Sequence, residues 1–133
     1  MNFETTEHTA LIDITPEVEH EVRDSGVKNG VCIITTRHTS AGIIINENTP
    51  GICSDILSLL SKLVPPKEEE IYQHNLIDTN ADSHLKAILL GSSEIIPVVD
   101  GELRLGAWQR IVFAEMDGPR DKRNVDVTVI KSE

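Results

Sequence analysis

Two β-rich runs near the start of this chain, Val31–Thr36 and Ile43–Ile45, are separated only by Arg37-His38-Thr39-Ser40-Ala41-Gly42. Apolar, β-branched runs of this kind carry their backbone into a sheet. The polar side chains at the break are then held at a rigid sheet edge, which is where fixed functional groups are best supported. The link His38–Ser40 is short, and suits a hairpin or a bulge better than a crossover. Asn46-Glu47-Asn48 follows the second run and sets a carboxylate at its far end.

The rest of the chain supplies partners for this stretch. Residues 2–14 alternate loosely and read as a strand. Thr15-Pro16-Glu17 is a helix start, with Thr as cap, Pro at the first helical position and an acid in the first turn. Val18 and Val22 form a narrow apolar stripe before Gly26 stops the helix. Thr49-Pro50-Gly51 repeats the start signal, and Ile52, Ile56, Leu59, Leu60 and Leu63 follow at helical spacing up to Pro65-Pro66. Lys67-Glu68-Glu69-Glu70 reads as a solvated turn or helix start, and residues 72–83 read as a polar loop. Asn80 is placed to cap a helix over Ala81–Leu90, with apolar positions Leu85, Ile88 and Leu89 and a stop at Gly91. Three strands close the chain: Glu94–Val99, Arg104–Glu115 and Asn124–Lys131. Asp100-Gly101 is a hairpin turn between the first two, and Asp117-Gly118-Pro119-Arg120 a turn between the last two. The pattern predicts one α+β domain over residues 1–133, with two to three helices packed on a mostly antiparallel sheet that closes into a small barrel or pairs across subunits.

Composition narrows the function. A net charge of -10 over 133 residues lacks the basic footprint of a general nucleic-acid binder. It does not exclude a phosphorylated small molecule, for which a few N–H groups and one or two arginines suffice. The first ten residues carry no apolar run of the secretory type, and no stretch is long enough to cross a bilayer, so no membrane partner and a cytoplasmic location are expected. Cys32 and Cys53 are too few and too far apart for a zinc finger, and read as packed, reduced thiols.

The residues able to carry chemistry are dispersed. His38 ends a strand, His74 lies in the polar loop, and His84 falls in the first turn of a helix. Three imidazoles with an open fourth position make a catalytic type of metal site, while the competing reading is three hydrogen-bonded histidines. His8 and His20 are assigned to that second reading. Glu47 is a candidate acid/base or an ordinary strand-end charge. Asp78 and Asp82, beside Asn80, either favour a helix dipole or orient a ligand histidine. Thr39 and Ser40 offer hydroxyls and N–H groups to a phosphate. Arg120 is a phosphate clamp or the partner of an acid. Trp108 reads as core, which turns Gln109 to the opposite strand face, and Glu115 and Asp117 end the same strand.

These stretches together resemble the YjbQ-like family, also called the secondary thiamine-phosphate synthase enzyme family. The resemblance runs from about Val31 to Ile130. It is most specific in Ser93-x2-Ile96-x-Val98-x2-Gly101-x4-Gly106-Ala107-Trp108-Gln109-x-Ile111, where Ala107 replaces the family's usual Thr. His38-Thr39-Ser40-Ala41, Asn46-Glu47-Asn48, the His74-to-His84 segment and Glu115-x-Asp117-Gly118-Pro119-Arg120 match in the same order. The resemblance implies a barrel-like α+β fold, a homotrimer and a histidine-rich cleft with a divalent metal, zinc first, on His38, His74 and His84. It also implies joining of a thiazole phosphate to a pyrimidinylmethyl diphosphate with release of diphosphate, as a side activity. In that reading Glu47 and the three histidines are catalytic, and Thr39, Ser40, Asn80, Gln109 and Arg120 bind substrate. A non-catalytic metal- or metabolite-binding homotrimer is the alternative.

Overall fold

A computed structural model describes residues 1–66 and 72–132. The reading of Lys67-Glu68-Glu69-Glu70 lies outside the described residues. Among the described residues, nine strands and three α-helices follow in chain order: β1 (Asn2–Thr5), β2 (Ala10–Asp13), α1 (Thr15–Ser25), β3 (Gly30–Thr35), β4 (Ala41–Asn46), α2 (Pro50–Leu63), α3 (Ala81–Leu90), β5 (Ser93–Val99), β6 (Glu102–Leu103), β7 (Arg110–Glu115), β8 (Arg120–Asn124) and β9 (Asp126–Lys131). A short 3-10 turn, Gln73–Leu76, precedes α3.

The fold is α+β, as expected, but the strands do not close into a barrel. They form three separate antiparallel sheets, in the orders β1-β8, β2-β7-β4 and β6-β5-β3-β9. The chain passes repeatedly from one sheet to another, and two of these corners bear on the site. Residues 36–40 take it from β3, paired with β5 and β9, to β4, paired with β7. Val125 separates β8 from β9, and its N–H is turned onto the Met1 carbonyl at 3.0 Å. The expected hairpin between the two β-rich runs is therefore a corner between sheets.

Two apolar clusters hold the layers together. Ile111 and Phe113 of β7 face one way, into a core shared with Val18 and Val22 of α1, Ile34 of β3 and Ile96 of β5. Ala114 and Met116 face the other way, under Leu60 of α2 and Leu90 of α3. The β2-β7-β4 sheet is thus covered on both faces, which explains the unbroken apolar run Ile111–Ala114.

Local signals fared unevenly. Gly26 ends α1 in the left-handed region at φ 70°. Asp100 and Gly101 take φ 53° and 81°, both left-handed, as a two-residue hairpin requires. Thr15 caps nothing: its hydroxyl accepts the Ile111 N–H at 2.7 Å, while Asp13 Oδ1 accepts the Thr15 N–H at 2.9 Å. The strand read over Arg104–Glu115 begins only at Arg110. Gln109 folds back so that its Oε1 accepts the Gly106 N–H at 2.8 Å, which makes residues 106–109 a turn. Trp108 at its tip is 71% exposed rather than core.

Helix α3 turns its apolar positions outward. Asp82, Ser83, Lys86 and Ala87 are buried, while Leu85, Leu89 and Ile88, the last 75% exposed, point outward. Leu59 and Leu63 of α2 are exposed as well. Apolar positions at helical spacing do not say which face meets the chain's own sheet.

Candidate functional site

The corner at residues 36–40, the start of α3 and the segment joining β7 to β8 converge on one region. Its foundation is a buried ion pair. Glu115 is fully buried and Arg123 is 3% exposed. The guanidinium donates through Nε to Glu115 Oε1 at 2.8 Å and through Nη2 to Oε2, and Nη2 also reaches Ser40 Oγ at 3.1 Å. Thr5 adds its hydroxyl to Oε1 at 2.6 Å, and the Asp117 N–H donates to Oε2 at 3.2 Å. Burial pushes the Glu115 carboxyl up. The Arg123 and Thr5 donors, the Asp117 N–H and the Arg123 charge outweigh it and hold the group below the usual carboxylate range.

The histidines stand above this platform. His84 Nδ1 lies 2.9 Å from the Thr39 carbonyl, which ties α3 to the corner one residue beyond His38. His74 and His84 meet edge to face, with ring centres 5.0 Å apart and planes at 86°. His74 Nε2 is 2.9 Å from Asn80 Oδ1. Asn80 in turn donates through Nδ2 to Asp117 Oδ2 at 2.8 Å, and Arg120 clamps the same oxygen at 2.8 Å and the Asp117 carbonyl at 2.9 Å. His38 turns elsewhere: its Nε2 accepts the Asn124 N–H at 2.9 Å.

A cleft of about 470 Å³ opens beside His38 and His84, lined also by Thr39, Ala41, Ala87 and Ile88. The structure thus gathers His38, Thr39, Ser40, His74, Asn80, His84 and Arg120 around the corner. Arg120 is already engaged by Asp117 through Nε and Nη2, which leaves its other N–H groups for a phosphate. Two candidates lie elsewhere. Glu47 follows the far end of β4, roughly 20 Å from the corner at about 3.3 Å per residue, and accepts the Thr49 hydroxyl at 2.9 Å. Gln109 lines a second cleft of about 320 Å³ between α1 and residues 101–110. Asp78 accepts its neighbour Thr79's N–H at 2.8 Å, and no hydrogen bond among the described residues joins Asp82 to a histidine. The carboxylate behind a site imidazole is Asp117, acting through Asn80. Arg123, Thr5 and Asn124 were not legible as site residues: Asp121-Lys122-Arg123-Asn124 looks like a solvated charge run, and only the pairing of β8 with β1 turns Arg123 inward.

The lone pairs bear on a metal. Among the described residues, no three His, Cys, Asp or Glu side chains are grouped to hold an ion. His38 spends its Nε2 lone pair on the Asn124 N–H, so the three-imidazole cage does not fit. His74 and His84, with ring centres 5.0 Å apart and planes at 86°, make an ordinary edge-to-face contact. Cys32 is fully buried in β3, where burial raises its thiol to about 11. Cys53 is half-buried, 2.9 Å from Asn48 Oδ1.

His38 sits below its ordinary value of 6.5, first because of burial and then because of the Arg123 charge. A lowered folded value means that the neutral ring stabilises the fold at pH above 6.5, and that this contribution is lost as pH falls through the folded value. Urea unfolding from pH 8 to pH 5 is therefore expected to show a steeper acid-side loss in the parent than in His38→Gln. Parallel curves would mean that His38 is not the group responsible.

Residues 1–132 match the family described as UPF0047 protein YjbQ-like, and the chain belongs to that family. A UPF0047 protein of Methanothermobacter thermautotrophicus is 48% identical over 119 residues, covering 90% of this chain and 82% of the relative. The UPF0047 protein YugU of Bacillus subtilis is 39% identical over 123 residues, 92% and 91% of the two chains. Among solved structures, a YbjQ-like protein of unknown function from Sulfolobus solfataricus has a TM-score of 0.95 at 39% identity, over 99% of this chain and 94% of that one. An uncharacterised member of the family from Clostridium acetobutylicum has a TM-score of 0.91 at 42% identity, over 98% of each chain. No helix among the described residues is long and apolar enough to cross a membrane.

Proposed function

We propose that the chain takes a small phosphorylated metabolite into the corner cleft and acts on it as a thiamine-phosphate synthase-like transferase. The reaction joins a thiazole phosphate to a pyrimidinylmethyl diphosphate, releases diphosphate, and is a side activity. The observation that carries the reading is the His74–His84 ring pair at 5.0 Å, tied to the corner that lines the cleft. In this reading the cleft holds the thiazole nitrogen in line with the leaving group. The imidazoles and the N–H groups of Thr39 and Ser40 meet the charge that develops on the departing diphosphate. Arg120 joins them through the N–H groups that Asp117 leaves free. Were zinc to bind, His74 and His84 would be the residues to hold it and it would supply Lewis acidity there; no residue's role depends on it.

A second reading is a metal- or metabolite-holding homotrimer without catalysis. It is favoured by the distance of Glu47 from the histidines, which leaves the cleft without its expected carboxylate acid/base. The outward Leu85, Ile88 and Leu89 suit burial against further copies in either reading. One set of measurements separates the two on protein purified without a histidine tag. Thiamine-phosphate formation is expected to fall by about 10²-fold in His84→Ala and in His74→Ala, with sedimentation giving a mass of three chains. Zinc or pyrophosphate binding lost in the same variants, with no turnover in any protein, would favour the second reading. Parent protein that neither turns over nor binds either ligand would sink both.

A further inference from the structure

We infer that Asp117 is a positioning residue that decides, through the Asn80 amide, which nitrogen of His74 carries the proton. His74 and His84 then face each other as opposite tautomers.

The inference starts at Arg120, whose guanidinium only donates. It grips the Asp117 carboxylate through Nη2 at 2.8 Å and the Asp117 carbonyl through Nε at 2.9 Å. A carboxylate so paired only accepts. Asn80, 2.8 Å from the same Oδ2, must therefore present its Nδ2, which leaves Oδ1 facing His74 Nε2 at 2.9 Å. An amide oxygen cannot donate, so Nε2 bears the hydrogen and the neutral ring keeps its lone pair on Nδ1. Asn80 is 9% exposed and Ala81, next in the chain, is held by its N–H to Asn75 Oδ1 at 3.2 Å, so the amide sits in a fixed frame.

His84 is fixed the other way. Its Nδ1 faces the Thr39 carbonyl, an acceptor, and must carry the hydrogen; the lone pair stays on Nε2. His38 meets a donor, the Asn124 N–H, at Nε2, so its hydrogen is on Nδ1 and its lone pair is occupied. The three imidazoles are not equivalent. His74 and His84 each keep a lone pair able to take a proton or a cation, through Nδ1 and Nε2 respectively. His38 offers a hydrogen-bond donor to a substrate oxygen and has no lone pair to give. What these states are for rests on the proposed function; the states themselves do not.

The test needs no substrate. Protein labelled with ¹⁵N is studied by long-range ¹H–¹⁵N correlation of the imidazoles at about pH 8.5, well above the ordinary imidazole value of about 6.5. His74 is expected as the Nε2–H form alone, and His84 and His38 as Nδ1–H forms. Arg120 Nη2 and Asn80 Nδ2 share Asp117 Oδ2, an oxygen that Asp117→Asn can keep, so the informative variant is Asp117→Ala, which removes the acceptor and frees the Asn80 amide to turn over. His74 should then average between tautomers, with His84 and His38 unmoved. Should that variant fail to fold, Asn80→Leu removes the acceptor and is expected to leave His74 averaging between tautomers. Averaging at His74 in the parent protein, or an unchanged Nε2–H form in either folded variant, would overturn the inference. Loss or absence of turnover alone would bear on the proposed function and not on this one.

Discussion

Arg123→Met is expected to cost about 3–5 kcal/mol of folding stability, the range for leaving one member of a buried ion pair uncompensated. Arg123 is 3% exposed and its partner Glu115 fully buried, so no solvent reaches in to screen the orphaned carboxylate. Methionine keeps the packing volume but removes the donors to both Glu115 oxygens and to Ser40. Thr5 and the Asp117 N–H remain, and are too few for a buried carboxylate. Glu115→Leu alone should cost a similar amount by stranding the guanidinium. The double variant should recover much of the loss, since a buried pair replaced as a unit by apolar side chains is often nearly neutral. Chemical denaturation of the two singles and the double closes the cycle. Singles costing under about 1 kcal/mol would place the pair among surface bridges and refute the argument.

Acid probes the same pair. The folded Glu115 carboxyl lies below its ordinary 4.5, so its contribution is present above that value and is lost as pH falls through the folded one. The parent should unfold steeply below pH 4.5 where the double variant, lacking both groups, has a flatter profile. That comparison separates Glu115 from the other acids of a chain with net charge -10, because they are common to both proteins.

What could be read in the sequence was local. Gly26, Asp100-Gly101 and the Thr49-Pro50 helix start each act through their own backbone angles, and each stands where the residues predict. Readings that depended on distant partners went astray. Nothing in His38–Ser40 says that the strands on either side belong to different sheets, since that follows from β7 claiming β4 and from β5 and β9 claiming β3. The buried face of α3 was not legible, because Ser83 finds the Met116 carbonyl at 2.7 Å and the polar side turns inward. Within the site, the histidines and Asn80 were legible as residue types able to bind. Arg123 was not, because an arginine in a run of charges is outwardly ordinary until its strand partner is known. Asp117 was visible only as a strand-end acid; its connection to His74 passes through Asn80, 37 residues away in the chain.

Gly118→Ala is the second substitution expected to have a large effect, and it tests how firmly that connection is seated. A Cβ at Gly118 would stand 2.0 Å from the Glu7 carbonyl oxygen and 3.1 Å from Glu115 Cγ. The first of these is backbone and cannot rotate away. Gly118 is also held from both sides, its N–H donating to the His8 carbonyl at 2.9 Å and its own carbonyl lying 3.2 Å from His8 Nδ1. Adding one methyl therefore has to part residues 117–119 from residues 7–8, at a cost of about 3 kcal/mol, the upper part of the range for overpacking. The displacement falls on Asp117, which holds Asn80 and Arg120, so His74 should lose its single Nε2–H form as well. Gly51 is the control: a Cβ there meets nothing within 4 Å, and Gly51→Ala in α2 is expected to stabilise by about 0.4–1 kcal/mol. Denaturation curves of the two variants should move in opposite directions from the parent. Equal midpoints would mean that the segment joining β7 to β8 yields without cost, and a segment that yields could not hold Asp117 against Asn80.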